Sequence, residues 1–297
     1  MRAPIVVFVV VISLSLLMVK VGGEQKRGEV DVVGFEEAAP LGNVSYQAGV
    51  VASDSDSNVY CSPEFNGQSA IMRYINENFN FIERKPVNRW PIASLTKLMT
   101  AVVALEKIGP EKTILVSENA INSEGTAGNL SPGEIYIALD LIKAMLLTSS
   151  NDAAVALAEA YGTENFVREM NEKAGELGML QTIFFEPTGL SFLNQSTPND
   201  LAKLVNYIYA NYPEIFGISR QKESLILDLE TNQAKRLVNA NQFVGRSDFI
   251  GGKTGFIDES KQNLISLFNK NDRPVLLIIL GSSDRYKETE ELLKCVE

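Results

Sequence analysis

The apolar positions of this chain fall into blocks of two different periods. Between Ser94 and Lys107 the residues Leu95, Leu98, Met99, Ala101, Val102, Val103, Ala104 and Leu105 lie nearly all round a helix, which Gly109-Pro110 closes. A helix apolar on every side is a buried one. Leu139–Thr148, Asp152–Tyr161 and Thr163–Leu177 keep a helical period, and the last places Phe166, Met170, Ala174 and Leu177 on one face. Thr197-Pro198-Asn199-Asp200 reads as a helix start, with Thr197 as cap and Pro198 in the first turn, and that helix runs to Asn211.

Elsewhere the pattern shortens to strands. Ala70–Ile75 and Phe79–Glu83 flank Asn76-Glu77-Asn78 as the arms of a β-hairpin. Past Arg220 come Leu225–Leu229, Asp248–Gly251, Leu264–Phe268 and Val275–Leu280, the last a continuous apolar run as in a central strand. Arg285–Val296 closes the chain as a helix, and the stretch after Pro110, with Gly125, Gly128 and Pro132-Gly133, reads as loop. Strands at both ends with helices between them predict an α/β (α+β) fold. One sheet is built from both chain ends and flanked by helices, with a mainly helical subdomain inserted.

Ahead of this block, Arg2 precedes an apolar run from Ile5 to Val19 that Lys20 ends. A run of fifteen residues, broken only by Ser13 and Ser15, suits a signal peptide better than a membrane span, which needs about 20. Val21-Gly22-Gly23 is the nearest small-residue cleavage site. Residues 1–23 are therefore a signal peptide or a retained N-terminal anchor, and either exports the chain to the cell envelope. Residues 24–62 form an acidic linker, with Glu-Glu-Ala-Ala-Pro at 36–40, Ser-Asp-Ser-Asp-Ser at 53–57 and room for a short strand around Val44–Val51. Residues 63–297 remain for one domain.

Composition narrows the chemistry. The chain has 297 residues, 27 basic against 37 acidic, and a net charge of −10. That balance excludes nucleic acid as a partner. There is no histidine, which removes any Ser-His-Asp mechanism and the usual zinc sites. Cys61 and Cys295 are too few for a disulfide framework. No metal or cofactor is expected.

A serine hydroxyl needs a neighbouring base to become a nucleophile, and without histidine the surviving base is lysine. In Pro91-Ile92-Ala93-Ser94-Leu95-Thr96-Lys97 the serine and lysine are three residues apart, on one helical face. A buried amine has a lowered pKa and can act as a base. The spacing alone is weak, since Ser219-Arg220-Gln221-Lys222 repeats it. Two further motifs strengthen it. Ser149-Ser150-Asn151 lies between two helices, 55 residues after Ser94, and Lys253-Thr254-Gly255 opens a strand 102 residues after Asn151. Ser117-Glu118-Asn119 also spells the second motif, but Lys-Thr-Gly occurs once. Taken singly, Lys253 reads as a solvated surface lysine and Asn151 as a helix cap.

The set Ser-x-x-Lys, Ser-x-Asn and Lys-Thr-Gly is that of penicillin-binding proteins and serine β-lactamases. Over residues 65–297 the chain resembles the low-molecular-mass penicillin-binding D-alanyl-D-alanine carboxypeptidases. The likeness extends to Met170-Asn171-Glu172-Lys173-Ala174, Pro187-Thr188-Gly189-Leu190 and Gly251-Gly252 ahead of Lys253. It implies a β-lactamase/transpeptidase-like fold with an antiparallel sheet. It implies a peptidoglycan stem peptide ending in D-Ala-D-Ala as substrate and β-lactam antibiotics as covalent inhibitors. Ser94 would form the acyl-ester, Lys97 take its proton, Ser149 relay a proton to the leaving amine, and Asn151 hold the substrate amide and orient Lys97. Lys253, Thr254 and Gly255 would bind the terminal carboxylate side, and the backbone N–H groups of Ser94 and Phe256 the oxyanion. Gly251 and Gly252 would let the substrate approach the strand edge. The membrane would be reached only through an uncleaved N-terminal segment. Glu259-Ser260-Lys261 stands where the family often has Glu-Ala-Gly, which touches local turn geometry. The fold would also bring Cys61 and Cys295 to one sheet edge, where an oxidising compartment allows a disulfide.

Three rivals remain. A D,D-endopeptidase would use the same site on wall cross-links. A β-lactamase would need a glutamate near Glu186, which falls 35 residues after Asn151, but Leu190 replaces the asparagine that helps hold its water. A wall-binding module without activity would not need all these side chains.

Overall fold

Two alternating apolar patterns, offset by one residue along the same strands, build the two faces of a central sheet. The computed structural model of the chain describes residues 65–125 and 128–296. The expected leader 1–23, the linker 24–62 and the strand around Val44–Val51 lie outside the described residues.

The chain enters through β1 (Ser69–Tyr74) and β2 (Ile82–Arg84), an antiparallel pair that matches the expected hairpin, with the second arm starting later. A short β3 (Trp90–Pro91) leads into a 3-10 turn, Ala93–Thr96, and then α1 (Lys97–Val103), extended by one π-helical turn to Ile108. Gly109 ends it with φ 86°. The stretch expected as loop carries β4 (Thr113–Leu115), α2 (Glu118–Ile121) and β5 (Ile135–Ile137), with β4 and β5 paired. These elements are too short for a period to show.

The expected helices follow as α3 (Ala138–Leu147), α4 (Asn151–Tyr161) and α5 (Thr163–Glu176). After β6 (Gln195–Ser196), α6 (Pro198–Asn211) starts as read: Thr197 Oγ1 accepts from Asp200 N at 3.1 Å. A short α7 (Glu214–Ser219) precedes a hairpin of β7 (Glu223–Leu227) and β8 (Ala234–Val238). The chain ends with β9 (Phe249–Ile257), β10 (Lys261–Lys270), β11 (Arg273–Ser282) and α8 (Arg285–Leu293).

The main sheet has the order β2-β1-β11-β10-β9, antiparallel throughout, so both chain ends build it and the apolar β11 is central, as expected. Ile71, Ile278, Ile265 and Lys253 are direct cross-strand partners. The three isoleucines face the larger core, which α1 organises by packing on α3, α4, α5 and α6. Residues from Lys97 to Ala104 are all buried, as their pattern predicted. The opposite face, with Ala70, Leu264, Phe268 and Ile279, is covered by α8 and an aromatic cluster of Phe243, Phe249 and Phe268. Lys253 therefore leaves the edge strand on the helix-covered face, and Thr254 one residue later on the α8 face.

The Lys-Thr-Gly segment does not open a strand, as the sequence reading had it, but lies in the middle of the nine-residue β9. The Gly-Gly pair weakens the β signal and divides one strand into two readings. Those glycines also serve packing. A Cβ on Gly252 would lie 2.3 Å from Ile265 O, and one on Gly251 2.8 Å from Phe216 O of α7. In the turn between β9 and β10, Lys261 takes φ 56°, the conformation a glycine would hold without strain.

Candidate active site

The nucleophile segment is held from three sides. β3 pairs with β6, and Trp90 Nε1 donates to Ser260 O at 2.8 Å, tying the strand before Ser94 to the turn after β9. Ala93 sits at φ 50°, a left-handed conformation that a non-glycine residue keeps only under tertiary constraint. The constraint is two backbones at close range. A Cβ on Gly189 would lie 2.0 Å from Ala93 O, and one on Gly255 would lie 2.9 Å from Ile92 O and 3.2 Å from Ser94 N. Ser94 is half-buried at the head of α1, while Lys97 one turn on is fully buried.

Lys97 Nζ has three oxygen partners: Ser94 Oγ at 2.8 Å, Asn151 Oδ1 at 2.7 Å and Thr188 O at 2.6 Å. Two of these, an amide and a carbonyl oxygen, can only accept. A neutral amine has two protons, so they go to Asn151 and Thr188 and the lone pair points at Ser94. Burial pushes Lys97 down to about 7, against a smaller upward pull from Glu186. The neutral, basic form is thus accessible near neutrality.

Ser149 and Asn151 come from the junction of α3 and α4. Ser149 takes φ 61° and is half-buried, Ser150 caps α4 by accepting from Ala153 N, and Asn151 is the first helical residue rather than the cap. Asn151 Nδ2 donates to Glu124 O at 2.7 Å, which leaves its second N–H for a ligand. Lys253 Nζ donates to Ser149 Oγ and to Thr254 O, both at 2.9 Å. Only 2% exposed, it is no surface lysine. Burial first, then the charges of Lys97 and Arg285, hold its pKa well below the ordinary lysine value. Gly255 is buried against the nucleophile backbone, and Phe256 beyond it turns an exposed ring outward.

The repeats of the motifs have other work. Ser219 is buried in α7 and its Oγ accepts from Gly252 N at 3.0 Å. Ser117 caps α2.

One basic residue escaped the sequence reading. Arg285 Nη1 donates to Gly255 O at 2.9 Å, its Nε is buried without a partner among the described residues, and its charge reaches Lys253. It lines a cavity of about 440 Å³ with Phe256, Gln242, Gln262, Ser283, Asp284 and Tyr286. Two cations therefore bracket Thr254 and Gly255. Arg285 lies 32 residues past Lys253 and belongs to no short motif, so only the sheet register brings it here. Among the described residues no group of histidine, cysteine or acidic side chains could hold a metal ion.

A base-paired serine beside two basic side chains is an arrangement for acyl transfer from a substrate with a carboxylate end. A family model described as D-alanyl-D-alanine carboxypeptidase matches residues 57–284. The chain belongs to this family. It is a serine-type peptidase of the penicillin-binding fold. Over 249 residues it is 31% identical to a D-alanyl-D-alanine endopeptidase of Escherichia coli, covering 82% of this chain and 80% of that one. It is 30% identical to a D-alanyl-D-alanine carboxypeptidase of Bacillus subtilis, covering 69% of this chain but about half (54%) of that one. The structure of a D-alanyl-D-alanine carboxypeptidase from Mycobacterium tuberculosis superposes with TM-score 0.73 at 25% identity, over 78% of this chain and 91% of that one.

Proposed function

We propose that the chain is a D-Ala-D-Ala carboxypeptidase of the cell envelope, acting on peptidoglycan stem peptides through an acyl-enzyme on Ser94. The observation that carries the reading is the Lys97 amine, whose two acceptor-only partners leave its lone pair on the serine. Ser94 Oγ attacks the carbonyl carbon of the penultimate D-alanine as its proton passes to Lys97. The oxyanion is received by the backbone N–H groups of Ser94 and Phe256. When the C–N bond breaks, Ser149 gives its proton to the departing amine and regains one from the Lys97 side. The free carboxylate of the departing D-alanine lies between Lys253, Thr254 and Arg285. Water then attacks the ester, with Lys97 again taking the proton, and releases the shortened peptide and Ser94.

A β-lactam presents a strained amide and a carboxylate in the same geometry, so it acylates Ser94. The test is D-alanine release from a pentapeptide ending in D-Ala-D-Ala, together with mass spectrometry after penicillin treatment. Release and an adduct on Ser94, both lost in Ser94→Ala, are expected. Turnover that survives Ser94→Ala would overturn the assignment.

A second reading, the endopeptidase, is favoured by one comparison and one feature of the site. The relative named as an endopeptidase is matched over 80% of its length, against 54% for the Bacillus carboxypeptidase. Arg285, which bonds Gly255 O of the Lys-Thr-Gly strand, also lines a cavity next to that strand. Digestion of cross-linked muropeptide dimers to monomers distinguishes the two.

A further inference from the structure

The loop 185–194 carries a carboxylate that the reaction above does not use. Glu186 Oε2 accepts from Thr188 N at 2.6 Å and Thr188 Oγ1 at 2.5 Å. Its Oε1 accepts from Gly189 N at 2.7 Å, Ser191 N at 3.3 Å and Asn194 Nδ2 at 2.9 Å. The fully buried Asn194 closes the loop from the other side, accepting from Phe185 N at 2.7 Å and donating to Thr96 Oγ1 at 3.2 Å. All these partners are neutral, and together they engage both carboxylate oxygens. A carboxylate bound in this way has little capacity left to hold a hydrolytic water, which argues against the β-lactamase role raised by its sequence position.

What the loop does with this anchoring is visible at α1. Pro187 O accepts from Thr100 Oγ1 at 2.6 Å, Thr188 O accepts from Lys97 Nζ at 2.6 Å, and Gly189 packs on Ala93 O. Three consecutive residues thus touch the nucleophile segment through their backbone, and Glu186 binds the N–H groups of two of them.

We propose that Glu186 is a positioning residue: by gripping the backbone of residues 188–191, its carboxylate holds the Thr188 carbonyl on Lys97 and so keeps the amine lone pair on Ser94. This rests on the Ser94–Lys97 reading above. The same carboxylate also favours the protonated form of Lys97 through space, opposing burial. A neutral replacement removes that influence, whereas a loop that loosens around a still-charged side chain at 186 keeps it.

The experiment compares full-length Glu186→Gln and Glu186→Asp with the wild type, measuring Tm, the pH dependence of kcat/KM, and acylation and deacylation by penicillin separately. A misplacement of about 1 Å costs on the order of 100-fold in rate, so acylation by Glu186→Gln should fall by about 10- to 100-fold. Its acidic limb should move to lower pH. Glu186→Asp keeps the charge with a shorter reach, so its limb should stay while its rate falls. If Glu186→Gln does not fold, the Glu186→Asp rate still decides, and wild-type acylation there overturns the proposal. So does an unmoved limb in a folded Glu186→Gln. Normal acylation followed by accumulation of the acyl-enzyme also overturns it, because Glu186 would then be the base for hydrolysis. Loss of the Ser94 adduct in the wild-type enzyme would instead refute the underlying assignment.

Discussion

Lys97 and Lys253 are of one residue type and both are buried, but they are asked for opposite charges. Lys97 is held near 7 by burial, so kcat/KM should rise as pH passes through about 7 and Lys97 loses its proton. Lys253 is also depressed in the free enzyme, by burial and by Lys97 and Arg285. A substrate carboxylate beside it favours its charged form and raises its pKa again in the complex. The alkaline fall should therefore come at lower pH in kcat/KM, which reports the free enzyme, than in kcat, which reports the complex. Coincident alkaline limbs would show that Lys253 is not the group that meets the carboxylate. A second residue-scale expectation concerns Gly255, where an added Cβ meets Ile92 O and Ser94 N. Gly255→Ala should slow penicillin acylation at least tenfold, because about 1 Å of displacement at a nucleophile is costly; an unchanged acylation rate would contradict the packing role. Most of the side chains gathered here were legible in the motifs: Lys97 bonds Ser94 and Asn151, Lys253 bonds Ser149, and the charge of Lys97 reaches Lys253. Arg285, the Thr188 carbonyl and the grip of Glu186 were not. A backbone acceptor has no residue type to read, and Arg285 is aligned by strand register alone.

At the scale of elements, β9 is an edge strand and needs its outer backbone groups satisfied. Ser219 does this at Gly252 N from the end of α7, which packs closely enough to require glycine at 251. Ser219→Ala leaves that buried N–H without its partner, at a cost of about 1–3 kcal/mol. We expect a lower Tm with penicillin still found on Ser94; a Tm equal to wild type would mean the hydroxyl does not hold β9. Helices α3 to α6 were readable because each presents several turns of a regular apolar period, and α6 adds a capped start. By contrast β8, with the sequence Ala-Lys-Arg-Leu-Val, buries little beyond Leu237, so alternation never becomes visible. The two-residue strands β3 and β6 are likewise set by their partner and not by their own pattern.

At the scale of the whole molecule, the described residues bring their first and last strands into one sheet, and the lead-in to β1 runs beside the last helix. Gly67 N donates to Glu288 Oε2 of α8 at 3.1 Å, and Phe65 packs on the same apolar cluster as Cys295 and Val296. Cys295 is disulfide-bonded, while Cys61, the other cysteine of the sequence, lies outside the described residues. Four residues separate Cys61 from Phe65 and span up to about 14 Å. Seven separate Glu288 from Cys295, about 10 Å of helix. The reach is therefore sufficient for Cys61 to be the partner, which would fasten the lead-in to α8. Denatured, unreduced protein should show no titratable thiol, and a non-reducing digest should yield one linked peptide containing Cys61 and Cys295. Two free thiols, or a link between two copies, would reject the pairing. Arg285 stands at the opposite end of α8, about 15 Å from Cys295 along the helix. Reduction should accordingly lower Tm while leaving acylation of Ser94 near its original rate, since the bond secures the sheet edge and not the nucleophile. Loss of acylation in parallel with the thiols would instead mean that the hold of α8 on Gly255, through Arg285, depends on the whole helix being fastened.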